Sequence, residues 1–566
     1  MITVNGKTYS VPDVYFTTEV INLGANTIPA FNGLLHIGSA RKGIPYTAGK
    51  GYEVIKAFSD VPSVKKFYGA GELSEAFEQA KAGGAGTDYF LNAAKLTRGV
   101  ATIMDNAGTP ASCFDITPKE YGAHGNDISF KIATVSTTLT ITVIPPKATK
   151  FLSANASTTN KEISLDEVEG LFVGQTGFLV SNTVTTPQAV TITAVDAVNK
   201  KITVDVNPTS AFATADYARF FSEDTDNEQV LTFDTASATV KDIIAGINAG
   251  SILTADRKDY TGVVPTTMAK AYLQAITGAT KGTSPAATEI AGGDYDLLGG
   301  MLPQLFEEFT NFTKARIRLV NLLTPTSSVH MIFKTVALTL RGIKYPIQVI
   351  TGCAKGDLDK ELTDADYPIQ RLKALNSSDV ILCVMGLDDK AAYISLAPQL
   401  AGLMAANSVK HNLTWDTISA TKVEKFYGES NRESALQPLI NAGAIVVRTG
   451  DDGFFIAQGL NSYQKHDKEW NTEDKTSYLI MQVGIVDFVN EGINKGMKVG
   501  SDDSTVNSEM ENLLGILKSF SDQGFITNYG VSRSERIGNA IYLDPQYAPV
   551  NSTDFVGGTV KVIIPN

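Results

Sequence analysis

Apolar positions along this chain recur with two periods, two and about 3.6, and their alternation predicts its elements. Near the start, residues 2–4 and 7–11 flank Asn5-Gly6, a pair that specifies a two-residue hairpin turn. VYFTTEVI (14–21), which includes Val14, Tyr15, Phe16 and Val20, reads as another strand. FNGLLHIGSA (31–40) reads as a short buried strand closed by Gly38. SDVPSVKKFYG then opens a helix, with Ser59 or Asp60 as its cap and Pro62 near its first position. In ELSEAFEQAKAGG (72–84), Leu73, Ala76, Phe77 and Ala80 share one helical face ahead of a glycine stop, and DYFLNAAKL returns as a strand. YGAHGNDISFKIA (121–133) is a glycine-rich turn running into a strand, which pairs with TTLTITVI (137–144).

From 147 to 223 the pattern changes to short Thr/Val/Asn-rich strands, FVGQTGFLVS, AVTITAVD and KKITVDVN, the last two joined by a turn at 196–200. This reads as a small all-β module inserted into a host domain that resumes near Gln229 with a helix over 238–250. A module fed by loops is expected to be an outward surface decoration, tolerant of removal. Over 285–460, a helix at 305–312 and strands at 315–323, 345–352, 379–386 and 444–450 are predicted. Near-continuous apolar strands separated by helix-length segments imply a largely parallel sheet covered on both faces. Two long helical patterns follow at 477–493 and 508–524. In the final GTVKVIIPN, Val560, Val562 and Ile564 alternate behind Gly557-Gly558. Such a strand either folds back onto its own domain or adds to another molecule's sheet. The expected fold class is multidomain, α/β plus β.

Length and charge narrow the picture. At 566 residues, three or four domains are expected. A net charge of −12 argues against a dedicated nucleic-acid binder, whose phosphate contacts need clustered Lys and Arg. No apolar run approaches the roughly 20 residues of a membrane helix, so no membrane insertion is expected. MITVNGKTYS lacks the basic-then-apolar pattern of a signal peptide, which points to folding in the cytoplasm where the chain is made. Cys113, Cys353 and Cys383 are far apart and form no C-x-x-C pair; they are expected to be reduced and structural.

Candidate chemistry is sparse. Asp105 in VATIMDNAG, His124-Gly125 and Gly282-Thr283-Ser284 stand in the chain order of a subtilisin-like serine protease. That mechanism needs the serine at the start of a buried helix beside an Asp-oriented His, and Ser284 is followed by Pro285 and a Gly-rich turn. The five histidines, His36, His124, His330, His411 and His466, are isolated, with no metal-ligand spacing. DLDKELTDAD (357–366) resembles a calcium loop only loosely, lacking the turn glycine and the terminal Glu; a solvated acidic loop is the simpler reading. No phosphate-binding glycine loop occurs. The sequence therefore points to no catalytic residues, no metal and no cofactor.

Several of these segments, taken in order, resemble the contractile tail sheath proteins of bacteriophages and related contractile injection particles. VYFTTEV resembles the family's arm strand, with Asp13 where Gly is usual. FNGLLHIGSARKGIP resembles the strand and Gly-x-Pro turn that open its first layer, and FSDVPSVKKFYGAGELSEAFEQAKAGGAGTDYFLNAAKL the stretch that follows. YGAHGNDISFKI matches its G-x-x-G-N-x-I turn and strand. The 285–460 region is similar to the family's subtilisin-like domain, so named for its fold and not for proteolysis. SYLIMQVGIVDFVNEGI resembles its C-terminal-domain helix without the usual Arg residues.

The resemblance implies an N-terminal arm (1–22), an α/β layer (23–112), a β-rich host domain (113–146 and 224–284), the inserted module (147–223), a non-catalytic subtilisin-like domain (285–460), a C-terminal domain (461–545) and a C-terminal arm (546–566). It implies a structural subunit of a tail assembled in the host cytoplasm. Copies would polymerise around a tail tube through strands exchanged between neighbours, carried by Val14, Tyr15, Phe16, Val20, Val560, Val562 and Ile564. Contraction would drive the tube through the host cell envelope for genome ejection. The implied partners are further copies, the tube protein, and baseplate and tail-terminator or neck proteins. Residues 508–518 are the candidate tube-facing helix, a core helix being the alternative. Two other functions remain open at this point: a surface-array or adhesin-type structural protein, and a subtilisin-like hydrolase.

Overall fold

The computed structural model describes residues 33–257 and, with short gaps, 263–464. It also describes 2–4, 7–9, scattered positions within 507–522, and 526–549 apart from 538–539. Residues 14–21, 477–493 and 558–566 lie outside the described residues, and with them Val14, Tyr15, Phe16, Val20, Val560, Val562 and Ile564. The chain divides into two units. One comprises His36–Glu78 and Tyr89–Leu298; the other comprises Met1–Leu35, Gln79–Asp88 and Gly299–Asn566.

In the first unit the helix Val61–Tyr68 begins where the sequence places it. Asp60, rather than Ser59, is the cap: its carboxylate accepts from the Ser63 amide at 2.8 Å, with Pro62 in the first turn. His36 stacks on Phe90 at 5.1 Å, and Phe90 meets Phe77 edge-on, so this histidine is an aromatic core residue. The strands Ser129–Val135 and Thr138–Ile144 form the expected hairpin, turning at Ser136 (φ +56°). Thr138–Ile144 pairs on its other side with Gln229–Asp234, so residues 146–223 leave and re-enter between two neighbouring strands. Met268–Tyr272 completes this four-stranded sheet. A second sheet orders Leu253–Arg257, Ser112–Pro118 and Ala101–Met104. Phe114, Ile116, Phe130, Ile132, Ile141 and Val143 form one core with Ile243 and Ile247 of the helix Val240–Ala249, which starts in a capping box of Thr239 and Asp242. Between Pro146 and Glu223 a six-stranded antiparallel sheet has its own core, including Leu179, Ile192, Ile202, Phe212 and Phe220.

The second unit holds the N-terminal hairpin, Ile2–Val4 against Lys7–Tyr9, with Val4 opposite Lys7 and Asn5-Gly6 between them. Its centre is a set of parallel strands, Ile317–Leu322, Gln348–Gly352 and Val380–Cys383, in which every residue is buried. The helix before them runs over Tyr295–Thr313 rather than 305–312. Gly299, Gly300 and Pro303 read as breakers in the sequence, but burial of Leu302, Leu305, Phe306 and Phe309 along one face overrides local propensity.

The fourth expected parallel strand, 444–450, needs correction. Only Ile445 joins the parallel set, through a single bridge to Cys383. The chain then turns into Val447–Gly450, which pairs antiparallel with Gly453–Ile456, itself paired to Thr417–Ile418. Gly453, paired opposite Gly450, has φ +124°, and sequence periodicity did not signal this pairing. Ile526–Ile537 and Ala540–Pro549 form a long two-stranded antiparallel hairpin. The three cysteines are buried and not joined by disulfides; burial pushes the Cys113 thiol up to about 11 and Cys383 up to about 12. Among the described residues, no helix is long and apolar enough to cross a membrane.

Candidate functional site: the polar junction at the Gly122–Ile128 turn

The densest buried polar chemistry in the first unit gathers on the turn that carries the G-x-x-G-N-x-I pattern. Gly122 has φ +116°, and a Cβ there would press on the Arg41 carbonyl and lie 2.9 Å from Ser284 Oγ, so only glycine fits. Residues Ala123–Asp127 form a short 3-10 turn, buried throughout. Asn126 sits at its centre: its Nδ2 donates to Asn182 Oδ1 (3.1 Å) and Gly282 O (3.0 Å), and its Oδ1 accepts from Gly282 N (2.7 Å). Asn182 also donates to Gly282 O at 3.0 Å and accepts from Lys281 Nζ at its carbonyl.

Asp127 is fully buried and faces Arg219 in a two-pronged ion pair, Nε to Oδ2 and Nη2 to Oδ1, each 2.6 Å. Arg219 further donates to Tyr217 O (2.8 Å), Asn182 Oδ1 (3.3 Å) and Gln274 Oε1 (3.4 Å). Burial pushes the Asp127 carboxyl up, and the Arg219 charge and bonds push it back down. A second contact set lies beside this one. Arg41 lies over the Phe151 ring (5.0 Å) and reaches Asp166 (3.3 Å). Burial raises Asp166 to about 6 against the pull of Arg41. Lys65 meets Glu169 at 2.9 Å, and Lys150 meets Glu167 at 3.2 Å.

The suspected Asp105, His124, Ser284 trio does not assemble. Ser284 Oγ gives its proton to the Arg41 carbonyl (2.6 Å) and accepts from Ala123 N (2.8 Å), so it ties two loops together. His124 Nε2 meets Glu120 at 2.7 Å, a bond that holds the Glu120 carboxyl down at about 2, while its buried Nδ1 has no partner. Asp105 accepts from the Ala107 and Ala111 amides and closes its own loop. In the acidic 357–366 segment, Asp357 and Asp366 both pair with Arg371 and Lys360. Among the described residues no group of three or more His, Cys, Asp or Glu is placed to hold a metal ion. Arg219, Asn182 and Gln274 escaped sequence reasoning, because their side-chain partners lie 37 to 92 residues away and no periodicity marks them.

No protein-family model matches the chain, and no curated protein does. Among solved structures, it is similar to the sheath tail protein of Desulfitobacterium hafniense, at 14% identity and a TM-score of 0.47 over 94% of this chain and 100% of that one. It is similar to the sheath tail protein of Listeria innocua, at 12% identity and a TM-score of 0.48, over 92% and 95% of the two chains. The helical sheath of the anti-feeding prophage in its contracted state matches 47% of this chain and 74% of its own, at 12% identity and a TM-score of 0.35. Two of these solved structures are sheath tail proteins, and the third is a helical sheath in its contracted state.

Proposed function

We propose that this chain is the structural subunit of a contractile tail sheath, polymerising around a tail tube and contracting to drive the tube through a host cell envelope. Residues 285–460 would be its subtilisin-like, non-catalytic domain and 147–223 a module inserted in its β-rich host domain, with arms at 1–22 and 546–566. The observation that carries the reading is the hairpin Ile526–Ile537 with Ala540–Pro549. Its strands of 12 and 10 residues pair antiparallel with each other as a two-stranded sheet. A two-stranded sheet is marginal in water, and each outer edge is a template for another strand. The alternating runs 14–21 and 558–564 supply strands of suitable pattern from neighbouring copies. Open, heterologous exchange of this kind builds rings or helices rather than closed dimers. The tube, baseplate and neck contacts follow from the same reading.

Negative-stain micrographs of the purified, overexpressed chain test it. Long hollow cylinders are expected. A flat lattice would instead favour the surface-array alternative, and monomers labelled by a serine-reactive probe would favour the hydrolase.

A further inference from the structure

The module between Pro146 and Glu223 enters and leaves its host on adjacent strands, with Pro146 opposite Glu223. That topology alone would leave it as a flap on two strand ends, removable without consequence. The side chains at its root say otherwise. Asp127 belongs to the host turn and Arg219 to the module, and both side chains are completely buried. A buried carboxylate that loses its cation is among the most destabilising changes a fold can suffer. Asn182, also from the module, closes the host's own Asn126–Gly282 contact, bonding both partners. The Arg41–Asp166 and Lys65–Glu169 pairs, with Lys200–Glu75 (3.8 Å), join module and host a second time away from the root.

We propose that the module is an internal clamp: Arg219 neutralises Asp127, and with Asn182 it holds the host's Gly122–Ile128 turn against residues 274–284, so that the host layer needs the module to keep its fold. The clamp works from inside a single chain, and on this reading the module is a working part of the host fold and not a detachable decoration. It also makes the module move with its host as one body in any rearrangement of the subunit.

Amide hydrogen exchange on the full-length chain tests the clamp. Arg219→Met is expected to speed exchange across 123–130 and 278–284 at least tenfold, and Asp127→Asn added to Arg219→Met is expected to recover most of that protection. Lys147→Met, which removes the exposed Lys147–Asp226 pair (2.9 Å), is the control and should leave those amides unchanged. A second experiment replaces 147–223 by two glycines. The shortened chain is expected to lose cooperative melting with Asp127 in place and to regain it with Asp127→Asn. Exchange changes confined to 146–223 in Arg219→Met, a double variant no better protected than the single one, or a shortened chain that melts like the intact protein with Asp127 retained would each overturn the proposal. The exchange result on the intact chain decides even where neither shortened chain folds.

Discussion

His330 shows how one buried side chain sets a pH limit on this protein. Its ring is fully buried, with Nε2 2.9 Å from the Thr324 carbonyl and 2.8 Å from Thr351 Oγ, whose own proton goes to Leu322 O. Nε2 must therefore donate, and the buried Nδ1 has no partner, an arrangement that suits the neutral ring. Burial, helped by the nearby Arg371 charge, depresses its pKa to about 3. The unfolded chain, titrating near 6.5, then binds more protons than the folded one between those values. Stability contributed by the neutral ring is thus present above pH 6.5 and falls as pH drops toward 3. From pH 6.5 to 5 the loss is about 2 kcal/mol. Denaturant titrations at pH 7 and pH 5 should show that loss in the parent chain and a much smaller one in His330→Gln. Equal slopes in both would contradict the assignment. Raised carboxyls such as Glu72, pushed up to about 7 by burial, act in the opposite direction, so the difference between the two chains is the informative quantity.

Between elements, two glycines bring backbones into contact. A Cβ on Gly402, in the helix Ala397–Ala406, would fall onto the Ala80 carbonyl oxygen and lie 2.8 Å from its carbon. A Cβ on Gly83 would meet the Gln399 carbonyl and lie 2.8 Å from Leu403 N. Backbone cannot rotate away as a long side chain can, so the helix-propensity gain of alanine is outweighed here. Gly402→Ala is expected to destabilise by about 2 kcal/mol. Gly300, in the helix Tyr295–Thr313, has nothing within 4 Å of the same position, and Gly300→Ala should stabilise by about 0.5–1 kcal/mol. Thermal melts of the two variants should therefore move in opposite directions; a shared sign would remove the close-contact explanation.

At the scale of the whole molecule, the proposed sheath depends on strands leaving one copy for another. Removing residues 555–566 should leave a chain with the parent's circular dichroism and melting temperature that no longer forms cylinders. Normal long cylinders from the truncated chain would sink the arm assignment while leaving the tail sheath reading intact. Loss of the fold itself would show that Val560, Val562 and Ile564 pack at home.

Periodicity and capping determined much by themselves. The Asp60-capped helix, the amphipathic face of Leu73, Ala76 and Phe77, the Asn5-Gly6 hairpin register and the buried parallel strands are local consequences of side-chain size, polarity and turn chemistry. Each is set within a few residues, so one sequence displays it. The tertiary structure alone decided that the chain leaves the parallel set after Ile445 for the hairpin of Val447–Gly450, and that Ser284 ties loops instead of facing a relay. It alone brought Arg219 across 92 residues to Asp127. A charge pair at that separation leaves no spacing to read, because its partner is chosen by where the chain returns and by the cost of burying either charge alone.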